Sequence, residues 1–290
     1  MKITVATCQF PVAADIRKNL TFILRQMRTA KRRGAQVAHF PEACLSGYAG
    51  VDFSSFAGFD WDLLTQSTRQ VMALAKELRL WVILGSAHRL TGRHKPHNSL
   101  YIINDRGRIV DRYDKMFCAG DRAGKTGDLK YYSPGSHFCI FNISGLRCGA
   151  QICHDFRYDE LYRRYRRYGV QFMFHSYYNA HQSAAKLRKY NIWGLIVPAT
   201  MQAYAANNYF WISANNSSQP VSSWGSFFVR PDGMITGRLK VNQPGILISR
   251  VDTSQQFYDA SECWRDRAIR GVYHSGRLFR DRRSKHRTSL

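Results

Sequence analysis

Strand-like and helix-like segments alternate along almost the whole of this 290-residue chain, and no linker or low-complexity block interrupts them. Residues 3–10 have the apolar run of a buried strand. Asp15 then occupies the place of a helix N-cap, and apolar side chains follow at helical spacing up to Gly34. A second strand is predicted at residues 37–40, before Pro41. Because alternating strands and helices fold as sheets covered by helices, the pattern predicts an α/β fold.

The later segments predict antiparallel strand pairs as well as helices. Residues 104–107 (Asn-Asp-Arg-Gly) and Gly145 are turn signals between short apolar runs. A tight turn pairs its two flanking strands antiparallel, so the sheets are not purely parallel. We therefore predict one α/β domain over residues 1–264, followed by a basic tail over residues 265–290. The remaining predicted segments are helices at residues 63–78, 158–168, 184–193 and 198–208, and strands at residues 81–85, 99–103, 108–113, 138–143, 147–152, 171–174, 209–214, 226–229 and 246–251.

The chain carries a large excess of positive charge. It has 43 Lys and Arg residues against 20 Asp and Glu residues, a formal net charge of +23. Much of the excess lies in residues 163–167 and in the tail from residue 265 onward. Such charge suits nucleic acid, an anionic membrane surface or an acidic substrate, but a solvated helix face and a loose tail also explain it. We favour the solvated surface, because no basic segment forms part of a known nucleic-acid-reading motif; the nucleic-acid alternative stays open.

Membrane segments and metal-binding motifs are not evident in the sequence. The first ten residues turn polar too soon for a signal peptide, and apolar runs such as residues 81–84 are too short to cross a bilayer. We therefore expect a cytoplasmic protein. The seven cysteines include no Cys-x-x-Cys pair, which favours reduced thiols over disulfides or a zinc site. His94 and His97 flank Lys95-Pro96 in a predicted loop, so no metal or cofactor is expected.

Three residues that could perform catalysis follow three predicted strands. Glu42 follows the strand at 37–40, Lys115 follows the strand at 108–113, and Cys153 ends the strand at 147–152 where a helix begins. Each alone is better explained as a surface charge or an inert buried thiol. Sites in open α/β sheets gather at the carboxyl ends of strands, which brings the three together. A thiol needs a base to become a nucleophile, a carboxylate can be that base, and an ammonium can stabilise an oxyanion without a metal.

The order and context of these residues resemble the nitrilase superfamily of carbon–nitrogen hydrolases, whose members use a Glu-Lys-Cys triad. The resemblance covers nearly the whole chain. It is carried by CQF at residues 8–10, FPEACLSGY at 40–48, NSLY at 98–101, YDKM at 113–116, SPG at 133–135, CGAQICHDFRYDEL at 148–161 and PDG at 231–233.

The resemblance implies a four-layer-forming α-β-β-α sandwich, paired back to back in a homodimer or a larger homo-oligomer. It implies Glu42 as general base, Lys115 as oxyanion stabiliser and Cys153 as nucleophile, with the backbone N–H of His154 as a second oxyanion donor. The implied reaction proceeds through a covalent acyl-enzyme that water hydrolyses. We therefore expect a hydrolase of a small linear amide or N-carbamoyl amine that releases ammonia.

One position departs from the family pattern within the candidate site. Many members carry a second glutamate where this chain has Asp128. Because aspartate is one methylene shorter, we expect its hydrogen bond toward Lys115 or the substrate to be lost or bridged by water. Tyr48, Tyr177 and Tyr178 are candidates for the substrate pocket, with core packing as the alternative for each.

Several alternatives remain open within and beyond this family. A nitrile substrate and acyl transfer to an amine are the rival reactions. A pairing of the His154 imidazole with Cys153 is disfavoured, because adjacent side chains usually point apart. Arg157 and the positive field would favour amides that bear a carboxylate. The alternative from another class is a nitrilase-like scaffold that binds nucleic acid or an acidic partner through its basic surface.

Overall fold

A computed structural model describes residues 1–288, so residues 289–290 of the predicted tail lie outside the described residues. Within them the strands are β1 (Lys2–Gln9), β2 (Val37–His39), β3 (Trp81–His88), β4 (His97–Ile103), β5 (Ile109–Asp114), β6 (Ile140–Ile143), β7 (Leu146–Ile152), β8 (Phe172–Ser176), β9 (Trp211–Asn215), β10 (Phe227–Val229), β11 (Ile235–Arg238) and β12 (Gly245–Asp252). The α-helices are α1 (Ile16–Arg32), α2 (Trp61–Leu78), α3 (Asp159–Arg167), α4 (Ala184–Lys189), α5 (Ile192–Asn208), α6 (Arg265–Ile269) and α7 (Arg282–Lys285). Two 3₁₀ turns cover Asp128–Lys130 and Cys153–Arg157.

The strands form two six-stranded sheets with the same internal plan. The first sheet has the order β12-β1-β2-β3-β4-β5, and the second has the order β11-β10-β9-β8-β7-β6. Each has three parallel strands at its centre, β1-β2-β3 in one and β7-β8-β9 in the other. The flanking strands run antiparallel, including the hairpins β4–β5 and β6–β7. The predictions of mixed sheets and of turns at residues 104–107 and Gly145 are confirmed.

Helices cover the outer face of each sheet, which gives the expected α-β-β-α sandwich. Buried side chains of α1 and α2, such as Met27 and Val71, pack on the outer face of the first sheet. Side chains of α3 and α5, such as Tyr165 and Met201, pack on the outer face of the second. A third apolar cluster fills the space between the sheets. Helix α1 begins as predicted, because the Asp15 carboxylate accepts hydrogen bonds from two first-turn N–H groups at 2.8 and 3.2 Å.

The boundaries of the helices near residue 190 differ from the prediction. We expected helices at residues 184–193 and 198–208, because proline usually marks a helix start. In the structure α4 ends at Lys189 and α5 begins at Ile192, so that Pro198 lies inside α5. The Asn191 side chain accepts a hydrogen bond from Gly194 N at 3.0 Å and so caps α5. Strand β11, which pairs antiparallel with β10 after the turn at residues 231–233, was not predicted.

The domain boundary at residue 264 stays a prediction, but the first turn of the tail contacts the rest of the chain. Arg265 is buried, forms an ion pair with Asp259, and donates from Nε to the carbonyl of Asn207 at 2.9 Å. The expected loose tail is therefore anchored at its start. No helix within residues 1–288 is long and apolar enough to cross a membrane.

Candidate active site

The three predicted catalytic residues lie close together, and the two sheets contribute them jointly. The first sheet supplies Glu42, just after β2, and Lys115, directly after β5. The second sheet supplies Cys153, directly after β7. Lys115 Nζ lies 2.8 Å from Glu42 Oε1, and Lys115 and Cys153 both line a cavity of about 240 Å³. The structure thus brings together the three side chains that the strand ends predicted.

Glu42 is fully buried and presents one oxygen that is free to accept a proton. Its Oε1 accepts hydrogen bonds from Lys115 Nζ and, at 2.7 Å, from Asn98 Nδ2. Its Oε2 has no hydrogen-bond partner within residues 1–288. Burial raises the pKa of Glu42, while the Lys115 charge acts against this rise. Asn98 was not predicted as a site residue, although it belongs to a motif that carries the family resemblance.

Lys115 is held by acceptors from two directions. Its Nζ lies 2.7 Å from Asp128 Oδ2 and 3.3 Å from the Tyr48 hydroxyl, in addition to Glu42. Burial alone would lower the pKa of Lys115, but the neighbouring negative charges, Glu42 first, raise it well above its usual value. Lys115 therefore stays a protonated ammonium.

The expectation that Asp128 loses its hydrogen bond to Lys115 was wrong. The 3₁₀ turn at Asp128–Lys130 brings the shorter side chain within direct reach of the ammonium. The Tyr48 hydroxyl donates to Asp128 Oδ1 at 2.6 Å, and Ala119 N donates to Oδ2 at 3.0 Å, so both oxygens are oriented. Burial would raise the pKa of Asp128, but Lys115 and these donors lower it. The backbone position compensates for the missing methylene, which the sequence alone does not reveal.

Cys153 lies at a sharp turn from strand to 3₁₀ helix. Its φ angle is +42°, in the left-handed region that non-glycine residues rarely adopt. Burial raises the pKa of its thiol well above the usual value, and Glu42 adds to the rise. Lys115 and a hydrogen bond from the backbone of Tyr178 lower it. The resting group is therefore a neutral thiol, which needs a base to become a nucleophile.

His154 follows Cys153 at the start of the 3₁₀ turn. The first N–H groups of a helix have no partner inside it, so the backbone amide of His154 is not used within the turn, and its role as an oxyanion donor stays a prediction. Its imidazole packs edge-on against Tyr158, with ring centroids 5.9 Å apart. Burial lowers the pKa of His154, with Lys115 adding to this effect, so the ring favours the neutral form.

Asp155, which was not predicted as a site residue, forms hydrogen bonds beside Cys153 and Lys115. Its Oδ2 accepts hydrogen bonds from the Tyr113 hydroxyl at 2.8 Å and from Ile152 N at 3.1 Å. Its Oδ1 accepts from Phe117 N at 2.8 Å. Asp155 therefore connects the turn that carries Cys153 to the segment that carries Lys115. Burial raises the pKa of Asp155 to about 6.

The three predicted pocket tyrosines all line the cavity. The Tyr177 hydroxyl is directed to the sulfur of Met201 at 3.2 Å, so this residue offers its ring to the cavity. The hydroxyls of Tyr48 and Tyr178 are both engaged with aspartates, so they too are held in place. The remaining wall is largely apolar, which gives an aromatic cavity with charged groups at one end. The lining residues that were not predicted are Ala119, Phe156, Asn179, Gln182, Trp193, Val197 and Trp224.

Among the described residues, no arginine lines this cavity. The guanidinium of Arg157 stacks over the rings of Phe156 at 4.8 Å and Trp193 at 4.7 Å, both of which are cavity walls. A preference of Arg157 for anionic amides stays a prediction. The arginines of α3 line two other cavities with α6, of about 510 and 530 Å³. Within residues 1–288 no cluster of three or more His, Cys, Asp or Glu side chains could hold a metal ion.

Comparison with known proteins identifies similar sequences and folds. Residues 4–257 match the family described as carbon-nitrogen hydrolase. The omega-amidase NIT2 of Bos taurus is 28% identical over 172 residues, and that of Homo sapiens is 27% identical over 172 residues. Each match covers 58% of this chain and 61% of the relative, so the chain spans about three fifths of the length of these relatives.

Solved structures of an amidase from Nesterenkonia sp. AN1 share the fold. The NitN amidase structure has a TM-score of 0.75 at 20% identity, covering 93% of this chain and 99% of the amidase. A mutant of the same amidase, in which acrylamide has added to the active-site cysteine, has a TM-score of 0.75 at 19% identity and the same coverage.

Proposed function

This chain belongs to the family of carbon-nitrogen hydrolases, and from that premise we propose that it is a thiol-dependent amide hydrolase. Its substrate is a small linear amide or N-carbamoyl amine, and one product is ammonia. The observation that carries the proposal is that the neutral Cys153 thiol and the Lys115 ammonium line one cavity, while Lys115 donates to the buried Glu42, whose Oε2 has no hydrogen-bond partner within residues 1–288. The omega-amidase name of the bovine and human relatives supports a terminal amide as the group attacked.

Acylation begins when Glu42 Oε2 takes the proton of the Cys153 thiol and the sulfur attacks the amide carbon. The carbonyl oxygen becomes an oxyanion, which Lys115 Nζ and the backbone N–H of His154 stabilise. Glu42 then returns the proton to the nitrogen, the C–N bond breaks, and ammonia departs. The acyl group remains on Cys153 as a thioester. Asp128 holds the ammonium of Lys115 in position through these steps.

Deacylation repeats the sequence with water. Glu42 takes a proton from a water molecule that attacks the thioester carbon, and the same donors stabilise the second oxyanion. Collapse of the intermediate breaks the C–S bond, returns the proton to sulfur and releases the carboxylic acid. The cycle consumes one water and needs no metal or organic cofactor.

The size of the cavity supports a small substrate. At about 240 Å³ it lies below the range of about 300–1,000 Å³ that is usual for sites of drug-sized ligands. The wall residues Phe156, Val197 and Trp224 suit an apolar or extended acyl chain.

The proposal also includes a cytoplasmic location and a homodimer or larger homo-oligomer.

Ammonia release from a panel of short amides and N-carbamoyl amines tests this function. We expect turnover by the wild type, no turnover by Cys153→Ala, and unchanged turnover by the control Cys263→Ser, which alters an exposed thiol. Intact-mass measurement should find the acyl group on Cys153. Acylation of another cysteine, or equal turnover by Cys153→Ala, would contradict the assigned nucleophile.

The second candidate is a binding protein for nucleic acid. It is favoured by a groove that Arg163, Arg164 and Arg167 of α3 line together with the exposed Tyr273, and in which these three arginines outnumber the two acidic residues, Asp159 and Glu160. Arginine with an exposed aromatic side chain suits a single strand, because the phosphates meet charge and a base can stack. If the wild type turns over no amide but binds single-stranded RNA tightly and with strong salt dependence, this candidate replaces the first.

A further inference from the structure

Asp52 lies in the loop between β2 and α2, outside the three catalytic residues, and its carboxylate is almost completely enclosed. The side chain is only 3% exposed. Its Oδ2 accepts a hydrogen bond from the backbone N–H of Tyr48 at 2.8 Å. Its Oδ1 accepts from the Tyr178 hydroxyl at 2.5 Å and lies 3.3 Å from His181 Nε2. A buried carboxylate with three partners in two separate segments is an anchor point.

The partners of Asp52 belong to the two halves of the active site. Tyr48 follows β2 of the first sheet, and its hydroxyl contacts Lys115 and Asp128. Tyr178 follows β8 of the second sheet, and its backbone hydrogen bond lowers the pKa of the Cys153 thiol. The rings of the two tyrosines lie against each other with centroids 5.0 Å apart. One carboxylate therefore joins the oxyanion side of the site to the nucleophile side.

The segment from Tyr177 to Gln182 is the part of the cavity wall that Asp52 holds. Its residues Tyr177, Tyr178, Asn179 and Gln182 line the cavity. Asp52 contacts it at two points, Tyr178 and His181. His181, the second of these contacts, has a φ angle of +55°, a backbone conformation that is unfavourable for a residue other than glycine. The hydrogen bonds to Asp52 are thus well placed to keep this segment in its catalytic position.

The loop that carries Asp52 has its own packing. Phe53, Phe56 and Phe59 pack against one another, and Phe56 and Phe59 also pack against Trp61, with centroids 4.8–5.3 Å apart. Phe56 also packs edge-on against Tyr132, at 5.5 Å. The loop therefore does not depend on the Asp52 carboxylate for its apolar anchoring. The carboxylate acts on the residues that it contacts across the site.

We propose that Asp52 is a positioning residue for the hydrolytic reaction: by holding Tyr48 and Tyr178 together, it sets the distance between the nucleophile and the oxyanion-stabilising groups. This inference rests on the proposed function. Misplacement of reacting groups by about 1 Å can reduce a rate by about 100-fold. We expect Asp52→Ala to lower kcat about 10- to 100-fold and to change KM much less, because the acyl-binding walls remain.

Two further variants separate positioning from general stability. Asp52→Asn keeps one oxygen acceptor of the same geometry. Its log kcat should therefore lie at least about a third of the way from the value of Asp52→Ala back to that of the wild type. Tyr178→Phe removes only the hydroxyl and keeps the ring stacking on Tyr48. The double variant Asp52→Ala/Tyr178→Phe should be little worse than Asp52→Ala, because both remove the same contact. The matched control is Asp60→Ala. Asp60 lies at the end of the same loop, and its carboxylate caps α2.

The rate of Cys153 alkylation by iodoacetamide across a range of pH gives a readout that does not depend on turnover. Loss of Asp52 should weaken the hydrogen bond from the Tyr178 backbone to Cys153 and so raise the pKa of the Cys153 thiol further. The alkylation profile should then move to higher pH, whereas Asp60→Ala should leave the profile unchanged. If Asp52→Ala does not fold, Asp52→Asn and Tyr178→Phe decide by the same profile. An Asp52 series that matches Asp60→Ala in both kcat and alkylation overturns the proposal. A wild type without amidase activity would refute the proposed function, while the alkylation profiles still decide the role of Asp52.

Discussion

Lys115→Met should destabilise the fold in a way that depends strongly on pH. Lys115 Nζ lies 2.8 Å from Glu42 Oε1 and 2.7 Å from Asp128 Oδ2, and all three side chains are buried. Methionine has a similar length, so the substitution removes the charge and its hydrogen bonds with little change of volume. The two carboxylates then face each other without a cation between them.

The distances give the size of the effect. Both oxygens bond the same nitrogen, so they lie no further apart than the sum of the two distances, about 5.5 Å. Two unit charges at that separation repel by about 3 kcal/mol when the effective dielectric constant is about 20. Removal of one partner from a buried ion pair costs about 3–5 kcal/mol. We expect the free energy of unfolding to fall by about 3–5 kcal/mol at about pH 8.

The sign of the pH dependence follows from the direction of the pKa shifts. Burial already raises the pKa of Glu42, and Lys115 acts against the rise. Loss of Lys115 raises the pKa of Glu42 further and removes the charge that lowers the pKa of Asp128. A carboxyl whose pKa is raised by folding stabilises the folded state when protonated, and that stability is lost as pH rises. The deficit of Lys115→Met should therefore be smaller at about pH 5 than at about pH 8.

Urea unfolding of the wild type and Lys115→Met at both pH values measures this difference. Lys18→Met is the control, because Lys18 is exposed on α1 and its loss should change stability by less than about 0.5 kcal/mol. A deficit of the same size at both pH values would show that the two carboxylates are not coupled through Lys115. A deficit as small as that of the control would contradict the buried ion pair itself.

Three further predictions test other parts of the chain. Glu42→Gln should lower the rate of ammonia release about 10²- to 10⁴-fold, because the amide cannot accept the thiol proton; turnover near the wild-type rate would exclude Glu42 as the base. Burial raises the pKa of Asp155 to about 6, so stability due to its protonated form is lost as pH rises through about 6. Between about pH 4 and 6, the unfolding free energy of Asp155→Asn, measured with urea, should therefore fall less than that of the wild type. An equal fall in both proteins would contradict this. Asp15→Ala should lower the unfolding free energy by about 1 kcal/mol through loss of the α1 cap, measured by the same method.

The site depends on the meeting of two sheets, which explains why its supporting residues escaped prediction. Asn98, Asp155 and Asp52 act through hydrogen bonds to segments that are distant in the sequence. Their spacing carries no periodic signal, because each satisfies one local contact in the folded chain. Asp128 shows the same limit: its side-chain length suggested a lost hydrogen bond, but the backbone turn that carries it restores the contact.

The sequence by itself determined the α/β class, most strands and helices, and the three catalytic candidates. These follow from local rules: apolar periodicity marks the elements, and the polar residues at strand ends identify Glu42, Lys115 and Cys153. Only the tertiary structure decided that Pro198 lies within a helix and that one buried carboxylate at Asp52 joins both sides of the site. The physical reason is that packing and hydrogen bonding between remote segments depend on three-dimensional distances, which local propensity does not contain.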